Sequence, residues 1–211
     1  MKVVHLSPNE LVYLSASNYC LENLAPKAIT ALGNLNSLSS RRLVALFCSV
    51  KCPGDLILKT YDLARDLRQA GVTVISGFHS PMERECLDIL LRGSQPVIVC
   101  PARSLEGMRV RPEHKLPLEE GRLLFLSPFE ARQRRATVEM AQYRNRFVAA
   151  LADEIIVAYA EPNGKTEQFC REMRAWGKPV YTFESDANAH LVALGASVNP
   201  PASPATSSPP K

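Results

Sequence analysis

At 211 residues, 46% of them hydrophobic, the chain has enough apolar side chains for one packed domain, and its net charge of +4 permits an anionic partner without demanding one. No apolar run approaches the roughly 20 residues that span a bilayer, and the opening MKVVHLSPNE lacks a signal-peptide core, so a cytoplasmic location is expected. The six cysteines are scattered, without the density of a secreted disulfide scaffold, which predicts free and mostly buried thiols.

In chain order, residues 1–40 are expected to be a lead-in segment whose part at 26–40 forms a short helix packed on the domain. Apolar, β-branched-rich runs then predict strands at 43–48, 72–75, 96–100, 122–126, 154–159 and 179–183, with helical stretches between most of them. Their spacing of about 25 to 30 residues is that of one strand-helix unit each. The helical period is clearest after residue 55, where Leu56, Leu63, Leu67 and Ala70 share a face and Gly71 ends the helix. Right-handed crossovers predict an α/β fold over 41–195: a doubly wound, mainly parallel sheet with helices on both faces. Residues 196–211 are rich in Pro, Ser and Ala and are expected to be a disordered tail.

Polar chemistry collects where the strands stop. The stretch VTVISGFHSPMERECLDILLRGSQPVIV reads as strand, glycine turn, helix and strand, with Pro81 at a first helical position, where a missing N–H is tolerated. Ligands of open parallel sheets bind outside the carboxyl ends of the strands, and helix N-termini offer unpaired N–H groups to anions. Candidate phosphate ligands are therefore Ser49 and Lys51 after the first predicted strand, and Ser76, Gly77, His79 and Ser80 after the second. Arg103 and Arg109 follow the third; Gly164, Lys165 and Thr166, in a small turn opening a helix, follow the fifth. Arg132, Arg134 and Arg135 after the fourth form a basic cluster suited to nucleic acid. A zinc site from His79, Cys48, Cys52 and Cys100 is set aside because the cysteine spacing is wrong and no second pair exists, so no metal is expected. No cofactor is expected either.

Two stretches, GVTVISG at 71–77 and YRNRFVAALADEIIVAYA at 143–160, resemble the DprA/Smf DNA-processing family and the wider SMF/DprA-LOG superfamily of Rossmann-like domains; GKPVYTF at 177–183 resembles the closing strand. Arg144, Asn145 and Arg146 match the family's Arg-Asn-Arg, and join the candidate ligands on that resemblance; Ser49, Ser76, Gly77, Arg144, Gly164, Lys165 and Thr166 are expected to line one crevice that binds a phosphate-bearing ligand. The pocket motifs diverge: the family's Ala-x-Gly-Ile-Asp after Ser-Gly reads FHSPMEREC, and its Gly-Ser-Arg reads Cys48-Ser49-Val50-Lys51. The fifth loop, PNGKTE, is closer to the LOG branch, which hydrolyses nucleoside monophosphates. The resemblance implies binding of single-stranded DNA, homodimerisation and a recombinase partner, in a stand-alone core without a winged helix. The alternative is a nucleotide-binding domain, either a sensor or a phosphoribohydrolase with Glu167 or Glu83 as the carboxylate that stabilises charge at the ribose.

Overall fold

A computed structural model describes residues 2–14, 24 and 26–198. Among these residues nine strands form one sheet: β1 (Val4–Leu6), β2 (Ile29–Gly33), β3 (Leu43–Cys48), β4 (Thr73–Ser76), β5 (Val97–Val99), β6 (Leu123–Ser127), β7 (Glu154–Tyr159), β8 (Val180–Thr182) and β9 (Ser197–Val198). Their order is β1-β2-β6-β5-β4-β3-β7-β8-β9, parallel from β6 to β9 and antiparallel where β2 joins β6 and β1 joins β2.

Alternation along β3 shows why the sheet is covered twice. Leu43, Ala45 and Phe47 enter one apolar cluster; Val44, Leu46 and Cys48 enter the other. A parallel strand buried on both faces reads as a continuous apolar run, and LVALFC does so. The second cluster is closed by α2 (Gly54–Gln69), α3 (Pro81–Leu90) and α4 (Pro112–Glu119), which supply Leu56, Leu63, Leu67, Met82, Cys86, Leu90 and Leu118. The first is closed by α1 (Pro8–Leu14), α5 (Val138–Leu151) and α6 (Lys165–Ala175), with Leu11, Phe147, Val148, Leu151, Phe169 and Met173 inside.

The chain therefore steps outward from β3 to β6 over one face, then crosses back through α5 on the other to lay β7 beside β3. That reversal puts the switch point between β3 and β7, where open α/β sheets place their ligand crevice. α5 runs over the carboxyl ends of the outward strands on its way.

Two segments depart from the sequence expectation. Residues 26–40 were expected as a short helix; they form β2 and a 3-10 turn at Leu35–Ser39. Ile29, Thr30, Ala31 and Leu32 are all buried, and Gly33 has a φ of +128° in a place where a Cβ would fall on the Leu123 carbonyl, so no side chain fits there. β1 likewise lies within the expected lead-in, and β9 adds residues 197–198 to the sheet. Residues 199–211 of the Pro/Ser-rich stretch, and Cys20, lie outside the described residues.

Candidate functional site

The turn after β4 is held from within. Ser76 Oγ, fully buried, donates to the Leu46 carbonyl of β3 (2.6 Å) and accepts from the Phe78 N–H (3.4 Å). Phe78 takes a φ of +46°, a left-handed conformation that costs a non-glycine residue about 1 kcal/mol or more. Ser80 caps α3 by accepting from the Glu83 N–H (3.3 Å), and the Glu83 carboxylate closes the capping box. That carboxylate accepts from the N–H groups of Cys48 (3.1 Å), His79 (2.8 Å) and Ser80 (3.4 Å). The backbone donors expected to meet a phosphate at this turn are thus engaged by a buried side chain of the same helix. Glu83 performs a structural task there, with both oxygens occupied.

Gly77 meets Arg144. A Cβ built on Gly77 would fall on the Arg144 guanidinium, so the glycine exists to let that group lie against the backbone. Arg144 is 4% exposed; its Nη1 donates to the Cys100 carbonyl at the end of β5 (2.7 Å) and its Nε to Asn145 Oδ1 (2.8 Å). Burial lowers its pKa, the Glu83 charge opposing, yet a guanidinium keeps its proton in protein surroundings. A fixed positive charge therefore stands at the carboxyl ends of β4 and β5.

Around it opens a crevice of about 700 Å³, lined by Gly77, His79, Arg103, Arg111, Thr137 and Arg144 among others. Thr137 caps α5, its hydroxyl accepting from the Met140 N–H (3.2 Å), so the positive end of the helix dipole faces the same space. No carboxylate among the described residues lines it. His79, Arg103 and Arg111 also border a neighbouring cavity of about 390 Å³ that continues over α3 and α4, where Arg84 and Arg109 join them together with Glu85, Asp88 and Glu113.

At the switch point itself the loops are tied together. Ser49 Oγ donates to Thr166 Oγ1 (3.0 Å) and accepts from the Glu161 N–H (3.1 Å), bridging the ends of β3 and β7. Gly164 is the N-cap of α6, and the buried Glu167 accepts from the Asn163 N–H (2.8 Å) and pairs with Arg171 (3.1 Å). Asn145, Arg146, Lys165 and Thr166 line a small cavity of about 90 Å³. Arg146 is paired there with Glu172 (2.7 Å). Lys51 stands exposed on the loop after β3.

The expected single crevice is accordingly divided. Gly77, His79 and Arg144 come together; Ser49 and Thr166 come together; Asn145, Arg146 and Lys165 share the small cavity. Arg132 is exposed, paired with Glu130 (2.8 Å), and lines a separate cavity with Phe129 and Tyr143. Arg134 and Arg135, also exposed, lead directly to Ala136 and Thr137 at the crevice wall. Sequence reading passed over Arg111 and Thr137. Their signals were the arginine-rich GMRVRPE and a threonine before an apolar-periodic helix.

The profile of the DNA recombination-mediator protein A family matches residues 13–200. Among curated proteins nothing matches. Of solved structures, DNA processing protein A from Helicobacter pylori, described with a single-stranded DNA binding mode, superposes with a TM-score of 0.72 at 21% identity, over 93% of this chain and 90% of that one. DprA from Streptococcus pneumoniae gives 0.73 at 19% identity, over 94% and 71%. The molybdenum cofactor binding protein of Rippkaea orientalis gives 0.54 at 10% identity, over 77% and 91%. At these identities the superpositions establish the Rossmann-like fold, and the profile match over nearly the whole chain establishes the family: this chain belongs to the DNA recombination-mediator protein A family, the DprA/Smf family of DNA-processing proteins.

Proposed function

We propose that the chain binds single-stranded DNA along the crevice at the carboxyl ends of β4 and β5, as a DNA-processing protein acting in DNA uptake or recombination. The observation that carries this reading is the charge of that crevice. Arg103, Arg111, Arg144 and His79 line it, the N-terminus of α5 faces it, and no carboxylate among the described residues lines it; Glu113, 3.8 Å from Arg111, and Glu83, near Arg144, lie outside its lining. Phosphates supply the complementary charge, and binding releases their counterions. Arg144 is the inner contact, held in place by Gly77; Arg103 and Arg111 track the backbone; Arg134 and Arg135 extend the track outward. A strand's phosphates need only positioned cations, so the function requires no reaction at Glu83 or Glu167, whose carboxylates are engaged by backbone donors and by Arg171. The family membership adds a recombinase as protein partner, a homodimer as working state and the cytoplasm as location. No helix among the described residues is long and apolar enough to cross a membrane.

The test is binding of a labelled oligonucleotide, single-stranded and duplex, followed by fluorescence anisotropy at low salt. Saturable binding with preference for the single strand is expected. A chain that binds no oligonucleotide yet has its thermal unfolding midpoint raised by a nucleoside monophosphate would overturn the reading in favour of a mononucleotide pocket.

A further inference from the structure

The cavity of about 390 Å³ beside the crevice differs from it in chemistry. The two share His79, Pro101, Arg103 and Arg111, so they form one continuous depression with two halves. The crevice half is lined by cations without a carboxylate. The other half has apolar walls: Phe78, Val99 and Phe125, all buried, and Met108 and Val110, half-buried. Glu85, Asp88 and Glu113 line it alongside Arg84 and Arg109. The carboxylates of Glu85 and Asp88 make no hydrogen bond or ion pair among the described residues.

His114 completes the wall, its ring packed on Phe125 with centroids 5.7 Å apart. Burial holds the imidazole below its ordinary pKa, with Glu113 opposing, Arg111 assisting and Asp88 opposing. The ring is therefore neutral at neutral pH and keeps one acceptor nitrogen. Asp88 and Glu113 both stand close enough to act on its charge, one from α3 and one from α4.

Two features select an occupant. The volume falls within the roughly 300–1,000 Å³ of small-molecule sites, and apolar walls with an aromatic floor suit a planar ring. With carboxylates among its lining, this half offers a phosphate less than the crevice does, while an amine donates to a carboxylate readily. In a nucleic acid strand a phosphate and a base are joined through one sugar. Arg103 and Arg111 stand at the boundary that such a nucleotide would straddle.

We propose that this cavity takes one unstacked base of the strand whose phosphates occupy the crevice, and that Asp88 and Glu113 accept from its exocyclic amine, favouring cytosine and adenine over uracil and thymine. The proposal rests on the single-stranded DNA reading above. Cytosine and adenine carry that amine; uracil and thymine place a carbonyl oxygen there, which a carboxylate repels. In a duplex the base is stacked and paired, so the same pocket supplies a preference for the single strand.

The experiment compares fluorescein-labelled oligo(dC) and oligo(dU) of equal length by anisotropy at low salt and neutral pH. These two pyrimidines share ring size and lack a methyl group, so stacking area does not separate them. The wild type is expected to bind oligo(dC) on the order of ten times more tightly, as for one hydrogen bond to a charged acceptor. In Asp88→Ala/Glu113→Ala, both exposed positions, the ratio is expected to fall to about one. Loss of two negative charges raises the affinity for both oligomers alike, so the ratio is the readout. Equal binding of the two oligomers by the wild type overturns the base pocket and leaves the phosphate crevice standing. A ratio that survives in the double variant overturns the assignment to these two carboxylates. A wild type that binds neither oligomer overturns the DNA reading and the base pocket with it.

Discussion

Gly77 and Arg144 behave as one unit although they lie 67 positions apart in the chain. The guanidinium occupies the space a side chain at position 77 would need, and its second anchor, the Cys100 carbonyl, belongs to a third element. Gly77→Ala is therefore expected to expel Arg144 and cost about 2–3 kcal/mol of stability, read as a lower midpoint in urea unfolding, together with a loss of oligonucleotide affinity. A fully stable Gly77→Ala protein with native affinity would show that Arg144 has another resting place. Both residues were legible in the sequence, one as a turn glycine and one as the opening of Arg-Asn-Arg. Their contact was not, because nothing in either motif says which distant loop it meets. Glu83 shows the converse. Its type and position suit a catalytic carboxylate, and only the structure reveals three backbone donors pointed at it. Glu83→Gln keeps one acceptor oxygen and is expected to lower stability by about 1–3 kcal/mol while leaving oligonucleotide affinity within about twofold, since roughly 0.4 kcal/mol is the most an indirect contact there should move. Loss of binding with unchanged unfolding would place Glu83 at the ligand instead.

At the scale of elements, the parallel strands were readable to within a residue or two because burial on both faces forces uninterrupted apolar runs, as in β3 and β7. β2 escaped because ITALG is short, ends in glycine and mixes residues that suit helix or strand; its partner β6 decides the matter by pairing Thr30 to Gly33 with Ser127 to Leu124. α5 matters most to the crevice, because its crossover brings Arg144 over β4 and β5 while its first turn supplies the capped N-terminus. Thr137→Ala removes the hydroxyl that accepts from Met140 and is expected to cost about 1 kcal/mol in urea unfolding, with Thr137→Ser recovering most of it. Equal stability of the alanine variant would mean that solvent satisfies the helix end.

The sheet as a whole explains why the expected crevice came apart. Strand-end loops were legible as a set, but which of them converge depends on the order β6-β5-β4-β3-β7, which local pattern does not carry. The loops of β4 and β5 face α5 and its cations, whereas those of β3 and β7 are joined to each other through Ser49 and Thr166. A modest net charge of +4 thus conceals a local concentration of arginine in one place, and a polyanion reads the local field. The most direct test of this account is the salt dependence of oligonucleotide affinity for the wild type and for the double variant Arg103→Ala/Arg111→Ala. Each phosphate contact on a single strand contributes a slope of about 0.7 in the plot of log affinity against log salt, so the double variant is expected to bind more weakly at low salt, for all base sequences alike, with a slope shallower by about 1 to 1.5. An unchanged slope and affinity would contradict the placement of DNA in this crevice.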